Sequence, residues 1–291
     1  MAIYDLLLAL LANAAWAFNF VAGKVGMEHF PPLMFTTLRF VILIVLLFPY
    51  LKVIPGQMVN VIRVALMLGV LHFSLMFAGL AAGGDISSIA IATQLYVPIS
   101  ALLAVVFLHE SMGWRRISGV AISFGGIMVI GFDPIVLSHL DALFLIVGAA
   151  LAMAVSTIFM RTMKGVGVFT LQAWIALIAA PCLFVLSLIF EHGQWEALRS
   201  ATWIDYGAPA YSAIGSSLIG HGIVYYLLLR YPVSVTAPFM LLTPVLAVLF
   251  GVTLWGDHLT WRLILGGLMT LLGVAVITVR APKVMMRIKM S

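Results

Sequence analysis

The sequence predicts an all-α membrane protein of ten transmembrane helices, arranged as a 5+5 inverted repeat with both termini cytoplasmic. Three observations carry this. Of 291 residues, 64% are hydrophobic and 9% charged, far outside the balance of a soluble domain. Ten apolar stretches approach the length of about 20 residues that crosses about 30 Å of hydrocarbon. The second half of the chain, finally, repeats the first.

The stretches run approximately from Tyr4 to Gly23, Pro32 to Leu51, Val61 to Ala81, Ser87 to Leu108, Trp114 to Gly131, Leu140 to Arg161, Thr170 to Phe190, Tyr206 to Leu229, Ser234 to Trp255 and Trp261 to Val279. The first opens on a leucine run that resembles a signal peptide, but Met1 to Asp5 holds no basic residue, so it reads as a span. The single cysteine, Cys182, sits in the seventh span and excludes an intramolecular disulfide. A net charge of +5 would suggest nucleic acid for a soluble domain; here the cations sort by connection. With the N-terminus inside, Lys52, Arg63, Arg115, Arg116, Arg161, Lys164, Arg230, Arg280, Lys283, Arg287 and Lys289 are cytoplasmic, and only Lys24, Arg199 and Arg262 face outward. That bias sets the orientation. The basic tail at 281–291 then lies against anionic headgroups.

The repeat follows from aligned pairs. Ser88 to Pro98 meets Ser234 to Pro244 at an offset of 146, and Glu110, Trp114, Arg115, Gly119 and Gly126 meet Asp257, Trp261, Arg262, Gly266 and Gly273 at 147. Trp16 to Lys24 meets Met153 to Arg161 at 137. The units are residues 1–131 and 132–280, each of five spans. Because five is odd, the copies enter the membrane in opposite senses, an arrangement that suits alternating access around a midplane site.

The stretches WAFNFVAGKVGMEHFPPLMFTTLRF, HESMGWRRISGVAISFGGIMVI and WGDHLTWRLILGGLMTLLGVAVIT resemble the drug/metabolite transporter superfamily, specifically its EamA-type ten-span exporters of amino acids and other metabolites. The resemblance covers essentially the whole chain. It implies a cavity between the halves, walled by spans one, three, four, six, eight and nine, with spans five and ten peripheral.

Polar faces supply the candidate binding residues. On a helical wheel Asn13, Trp16, Asn19, Phe20, Gly23 and Lys24 share an arc of about 140°. Hydrocarbon has no partner for an amide, so this face looks into protein or a cavity; Trp16 and Asn19 suit an amphiphilic substrate. The matching face of the other repeat carries Met153, Ser156, Thr157 and Met160, of which Ser156 is the candidate. Ser217, His221 and Tyr225 form a second stripe at i, i+4, i+8. His72 is the one ionisable side chain between Ala65 and Ala81; an intramembrane imidazole is either a functional group or a buried structural one. Met76, Phe77, Gln94, Tyr96, Trp174 and Met240 complete the set as rings, thioethers and neutral hydrogen-bonding groups. Pro98 and Pro244 remove backbone donors and are hinge candidates. Arg39, inside the second span, has three readings: snorkelling, holding a carbonyl, or meeting a substrate carboxylate. Gly79 with Gly83 and Ser216 with Gly220 read as close-packing pairs.

Other chemistry is missing. His109-Glu110 begins a zinc-protease motif that lacks its second histidine, no phosphate-binding loop with its lysine occurs, and Ser217 with His221 has no orienting acid for hydrolysis. No enzyme activity, cofactor or metal is expected. All ten acidic residues lie near connections or termini, which favours uncoupled or weakly coupled movement. The expectation is an inner-membrane exporter of small amphiphilic metabolites, foremost amino acids with apolar or aromatic side chains, with the lipid bilayer as partner, no nucleic acid, and a monomer plausible. The alternative is an exporter of nucleosides or hydrophobic drugs, proton-coupled through His72 or His221.

Overall fold

The structure, a computed structural model, describes residues 1–83, 85–231 and 233–278, with the backbone alone at 233, 234, 237 and 238. The basic tail expected at 281–291 lies outside the described residues. Among these the fold is helical, without strands. Ten rods follow one another: α1 (Ile3–Met27), α2 (Pro32–Tyr50), α3 (Met58–Ala81), α4 (Ile86–Leu108), α5 (Trp114–Gly131), α6 (Leu140–Thr162), α7 (Val168–Phe190), α8 (Gly207–Arg230), α9 in two pieces (Val233–Met240 and Leu242–Trp255) and α10 (Trp261–Thr278). Eight are long and apolar enough to cross a membrane. The other two are α5, whose first turn holds Arg115 and Arg116, and the divided α9.

The repeat is visible in the packing. Gly119 of α5 faces Gly273 of α10, where a Cβ would lie 2.9 Å from the Gly273 carbonyl oxygen; Gly126 faces Gly266, at 2.5 Å. The partners of this antiparallel crossing are exchanged repeat-mates, as a two-fold axis demands. On the axis sit the mates Ser123 and Thr270, each hydroxyl turned to the other's carbonyl at 3.4 and 3.5 Å. The same symmetry places α1 against α8 and α9, and α6 against α3 and α4. Each repeat thus packs its first helix on the third and fourth of the other.

Connections explain the changing offset between copies. The α7–α8 link contains an extra short helix, Gln194–Ser200, absent between α2 and α3; this insertion lies where the offset rises above 137. Its Ala197 carbonyl accepts a bond from His29 Nε2 at 2.8 Å. Nearby, the Glu191 carboxylate accepts the Leu33 and Met34 amides at 2.6 and 3.2 Å. It caps the N-terminus of α2, which Pro32 begins without a side-chain cap of its own.

Three departures from ideal helices were not foreseen. α3 and α8 carry π-helical segments, Ala65–His72 and Ser212–Gly220, at matching positions in the two repeats; α9 ends in a third, Gly251–Trp255. Such insertions gather at functional sites. α4 breaks at Gln94–Leu95 and α9 at Leu241, each just upstream of Pro98 or Pro244, whose rings cannot donate to the carbonyl four residues back. Gly83 is not a helix-packing residue: it follows α3 with φ +97° and lies against the His139 ring. Gly79 does pack closely, on Ile146 and the Ala142 carbonyl of α6.

Candidate functional site

Halfway along α1, Trp16 turns its indole onto α8. Its Nε1 donates to the Ser216 carbonyl at 3.0 Å and its ring lies 5.1 Å from that of His221. One turn further, Asn19 Oδ1 accepts the Ser212 hydroxyl at 2.7 Å. Ser217, between Ser212 and His221, donates to the Ser212 carbonyl at 3.1 Å and accepts from Arg39 Nη2 at 2.8 Å. A chain of polar contacts therefore joins α1 and α2 of the first repeat to α8 of the second. The π segment of α8 supplies much of it, through the Ser212 and Ser216 carbonyls. Backbone groups released from regular helix bonding are free to bond elsewhere.

Gly220 makes the arrangement possible. A Cβ there would lie 2.5 Å from Trp16 Nε1, so the Ser216–Gly220 pair is the seat of the indole as well as a packing motif. On the same face of α8, burial falls from Ser212 and Ser217 to a half-buried His221, and Tyr225 is 36% exposed. His72 closes the π segment of α3 and mirrors His221 in the other repeat; its Nδ1 bonds the Ala149 carbonyl of α6 at 2.8 Å and its ring touches Phe73.

The remaining predicted residues are distributed more widely. Phe20, Met76 and Phe77 belong to the packed core, with Phe77 5.0 Å from Phe35. Gln94 and Met240 are half-buried beside the breaks in α4 and α9, and Tyr96 packs between two core clusters. Ser156 is fully buried and bonds back to the Met153 carbonyl. Trp174 is not near Trp16: its indole donates to the Lys52 carbonyl at one end of the bundle. Asn13 turns to α9 and accepts the Thr243 hydroxyl at 2.6 Å. The structure thus joins Trp16, Asn19, Ser217 and His221, and adds Ser212, Gly220 and Arg39, which lay outside the predicted set. Arg39 carried a signal, as the one charge within its span; Gly220 carried none beyond its spacing.

At the bundle end that carries Lys24, Asp257 closes a second contact between repeats. Its Oδ2 accepts both the Ser87 amide and hydroxyl at 2.7 and 2.6 Å. Gly251 leaves room for this carboxylate, since a Cβ would come within 2.3 Å of Oδ2. In the adjoining loop, burial and, after it, Asp257 hold the Asp85 carboxyl above its ordinary range, while Lys24, His258 and His139 pull it down. Among the described residues no three His, Cys, Asp or Glu side chains gather as a metal site. His109 instead ends α4 in the left-handed region, and Glu110 pairs with Arg161 at 2.6 Å.

The model of the EamA-like transporter family matches residues 4–132 and again 140–279. A protein of Escherichia coli (strain K12) described as a "Probable amino-acid metabolite efflux pump" is 29% identical over 283 residues, covering 92% of this chain and 93% of its own. One from Bacillus subtilis (strain 168), an "Uncharacterized transporter YoaV", is 26% identical over 276 residues, covering 89% and 91%. A solved crystal structure with 18% identity superposes with a TM-score of 0.63 over 94% of this chain and 96% of that one, a likeness of fold.

Proposed function

Because the chain belongs to the EamA-like transporter family, we propose that it exports small amphiphilic metabolites, foremost amino acids with apolar or aromatic side chains, by alternating access between its two repeats. The observation that carries this reading is the junction of Trp16 and Asn19 with Ser212, Ser217 and His221, a ring-and-amide surface shared by opposite repeats at mid-depth. Hydroxyls, amides and imidazoles hold the polar end of such a solute, and the indole accepts its side chain. The Escherichia coli relative described as a probable amino-acid metabolite efflux pump supports it.

In this reading α5 and α9 complete ten spans, the chain resides in a bacterial inner membrane, and both termini are cytoplasmic. Pro98 and Pro244 serve as hinges where α4 and α9 already break. Movement is uncoupled or weakly coupled, since no carboxylate lies mid-membrane. Counterflow in proteoliposomes tests it: phenylalanine and leucine are expected to exchange, inosine is not. Trp16→Ala and His72→Ala are expected to slow exchange at least about tenfold. Normal rates in both variants, or inosine outcompeting leucine, would overturn the assignment. Strong uptake driven by an imposed pH gradient, lost in His72→Ala, would replace the uncoupled reading.

A further inference from the structure

Arg39 is among the largest fully buried side chains of the described residues, 2% exposed within α2. It neither snorkels nor binds a carbonyl. Nη2 donates to the Ser217 hydroxyl, and the guanidinium carbon stands 4.3 Å from the Phe73 ring centroid and 5.7 Å from that of Phe40. Nε and Nη1 are buried and find no acceptor among the described residues. Among the described residues the ion pairs all involve Glu110, far from here in the chain. His72 and His221, which are bases, lie within the field of the Arg39 charge.

A guanidinium is always charged and cannot shed the problem by losing a proton. Cation–π contact with Phe73 offsets part of its desolvation. Four of its five N–H bonds, one on Nε, two on Nη1 and the second on Nη2, remain unmet, and unpaired buried donors on a charged group are costly. Ser217 accepts the remaining N–H bond and passes its own hydrogen to the Ser212 carbonyl.

We propose that Arg39 is the anchor for a substrate carboxylate, the unassigned half of the site whose other half is Trp16, Asn19 and His221. This rests on the amino-acid reading given above and extends it to the group that every accepted substrate must carry. One fixed cation matches one negative charge, which favours a monoanionic carboxylate over a phosphate. The two oxygens of a carboxylate take paired N–H donors. Through Ser217 and the π segment the guanidinium is mechanically joined to Asn19 and Trp16. Loading of Arg39 is thereby communicated across the junction between repeats.

The experiment uses the purified full chain in detergent and measures thermal stabilisation by phenylacetate, phenylacetamide, leucine and leucinamide, then exchange of the last two in proteoliposomes. Wild type is expected to favour each acid over its amide at least about tenfold in apparent affinity, because the amide leaves the charge unmatched. Arg39→Gln is expected to reduce this preference to within about threefold. Equal stabilisation by acid and amide in wild type, the same preference in folded Arg39→Gln, or matching stabilisation by chloride alone against gluconate would overturn the proposal. If Arg39→Gln does not fold, the wild-type pairs still decide. Phenylacetate selectivity without amino-acid exchange would remove the amino-acid reading and leave the carboxylate site standing. Amino-acid exchange that ignores the carboxylate would do the reverse.

Discussion

The indole of Trp16 rests on Gly220, so closely that a single methyl there would stand 2.5 Å from Nε1 and 3.0 Å from Cδ1. No backbone constraint demands this glycine, since Gly220 lies in helical territory with φ −57°. The requirement is space for Trp16. Gly220→Ala should therefore displace the indole from the Ser216 carbonyl and lower exchange several-fold, with a stability loss of about 1–3 kcal/mol from overpacking. Gly207→Ala on the same helix, where nothing stands within 4 Å, is the control. In the double variant with Trp16→Ala the cost of Gly220→Ala should largely disappear. Additive losses would show that the two residues act independently.

The α5–α10 crossing leads to a second prediction. A Cβ on Gly126 would lie 2.5 Å from the Gly266 carbonyl oxygen, and one on Gly266 would lie 2.5 Å from that of Gly126, so a side chain on either glycine strikes the other's backbone. Gly126→Val and Gly266→Val should each lower the thermal midpoint in detergent, by an amount equivalent to at least about 1–3 kcal/mol. The double variant should lose less than the sum, because the helices separate only once. Small residues are the means by which membrane helices approach closely. A midpoint unchanged in Gly266→Val would contradict this crossing.

Much of this architecture was legible because duplication writes the same physical demand twice. The prolines that break α4 and α9 and the glycines of the α5–α10 crossing were aligned by sequence alone. Their roles depend on a missing donor or a missing side chain, which sequence reports directly. The π segments were not legible: they arise from tertiary packing along α3 and α8, with no residue type that compels them. The wheel correctly set Asn13 and Asn19 on a protein-facing side of α1, but it had no means to divide them between α9 and α8. Trp174 shows the same limit, since an apolar helix does not reveal that its indole meets a loop carbonyl at the bundle end.

His109 bears a different kind of constraint. It ends α4 at φ 53°, while Gly256, at its repeat-mate position, ends α9 at φ +79°. The next residues make the same bond, Glu110 N to the Ala104 carbonyl and Asp257 N to that of Gly251, at 3.2 and 3.0 Å. One turn is thus built with glycine in one copy and histidine in the other. A left-handed conformation costs a non-glycine residue about 1 kcal/mol. His109→Gly should therefore stabilise the folded protein by up to that amount, less the greater freedom it gives the unfolded chain. The thermal midpoint should rise while zinc, added or chelated, leaves it unchanged; a fall would show that the His109 side chain contributes more than its backbone costs.

Asp85 yields a prediction with a definite sign. It precedes α4 and makes no side-chain cap bond, and burial followed by Asp257 raises its folded pKa above the ordinary 3.8. A raised carboxyl binds its proton more tightly when folded. Its contribution to stability is therefore most favourable below 3.8 and is lost as pH climbs through the higher folded value. Asp85→Asn removes the charge and preserves the shape. The variant should melt above wild type at pH 7, and the gap should close as pH falls toward and below 3.8. Each curve also contains the other carboxylates, including Asp205, whose amide and hydroxyl bonds from Thr202 lower its pKa and stabilise the fold above 3.8. The difference between variant and wild type cancels these shared terms. A gap that widens on acidification would mean that Lys24, His258 and His139 outweigh burial and Asp257, and that this end of the bundle is held by the Asp85 charge instead of strained by it.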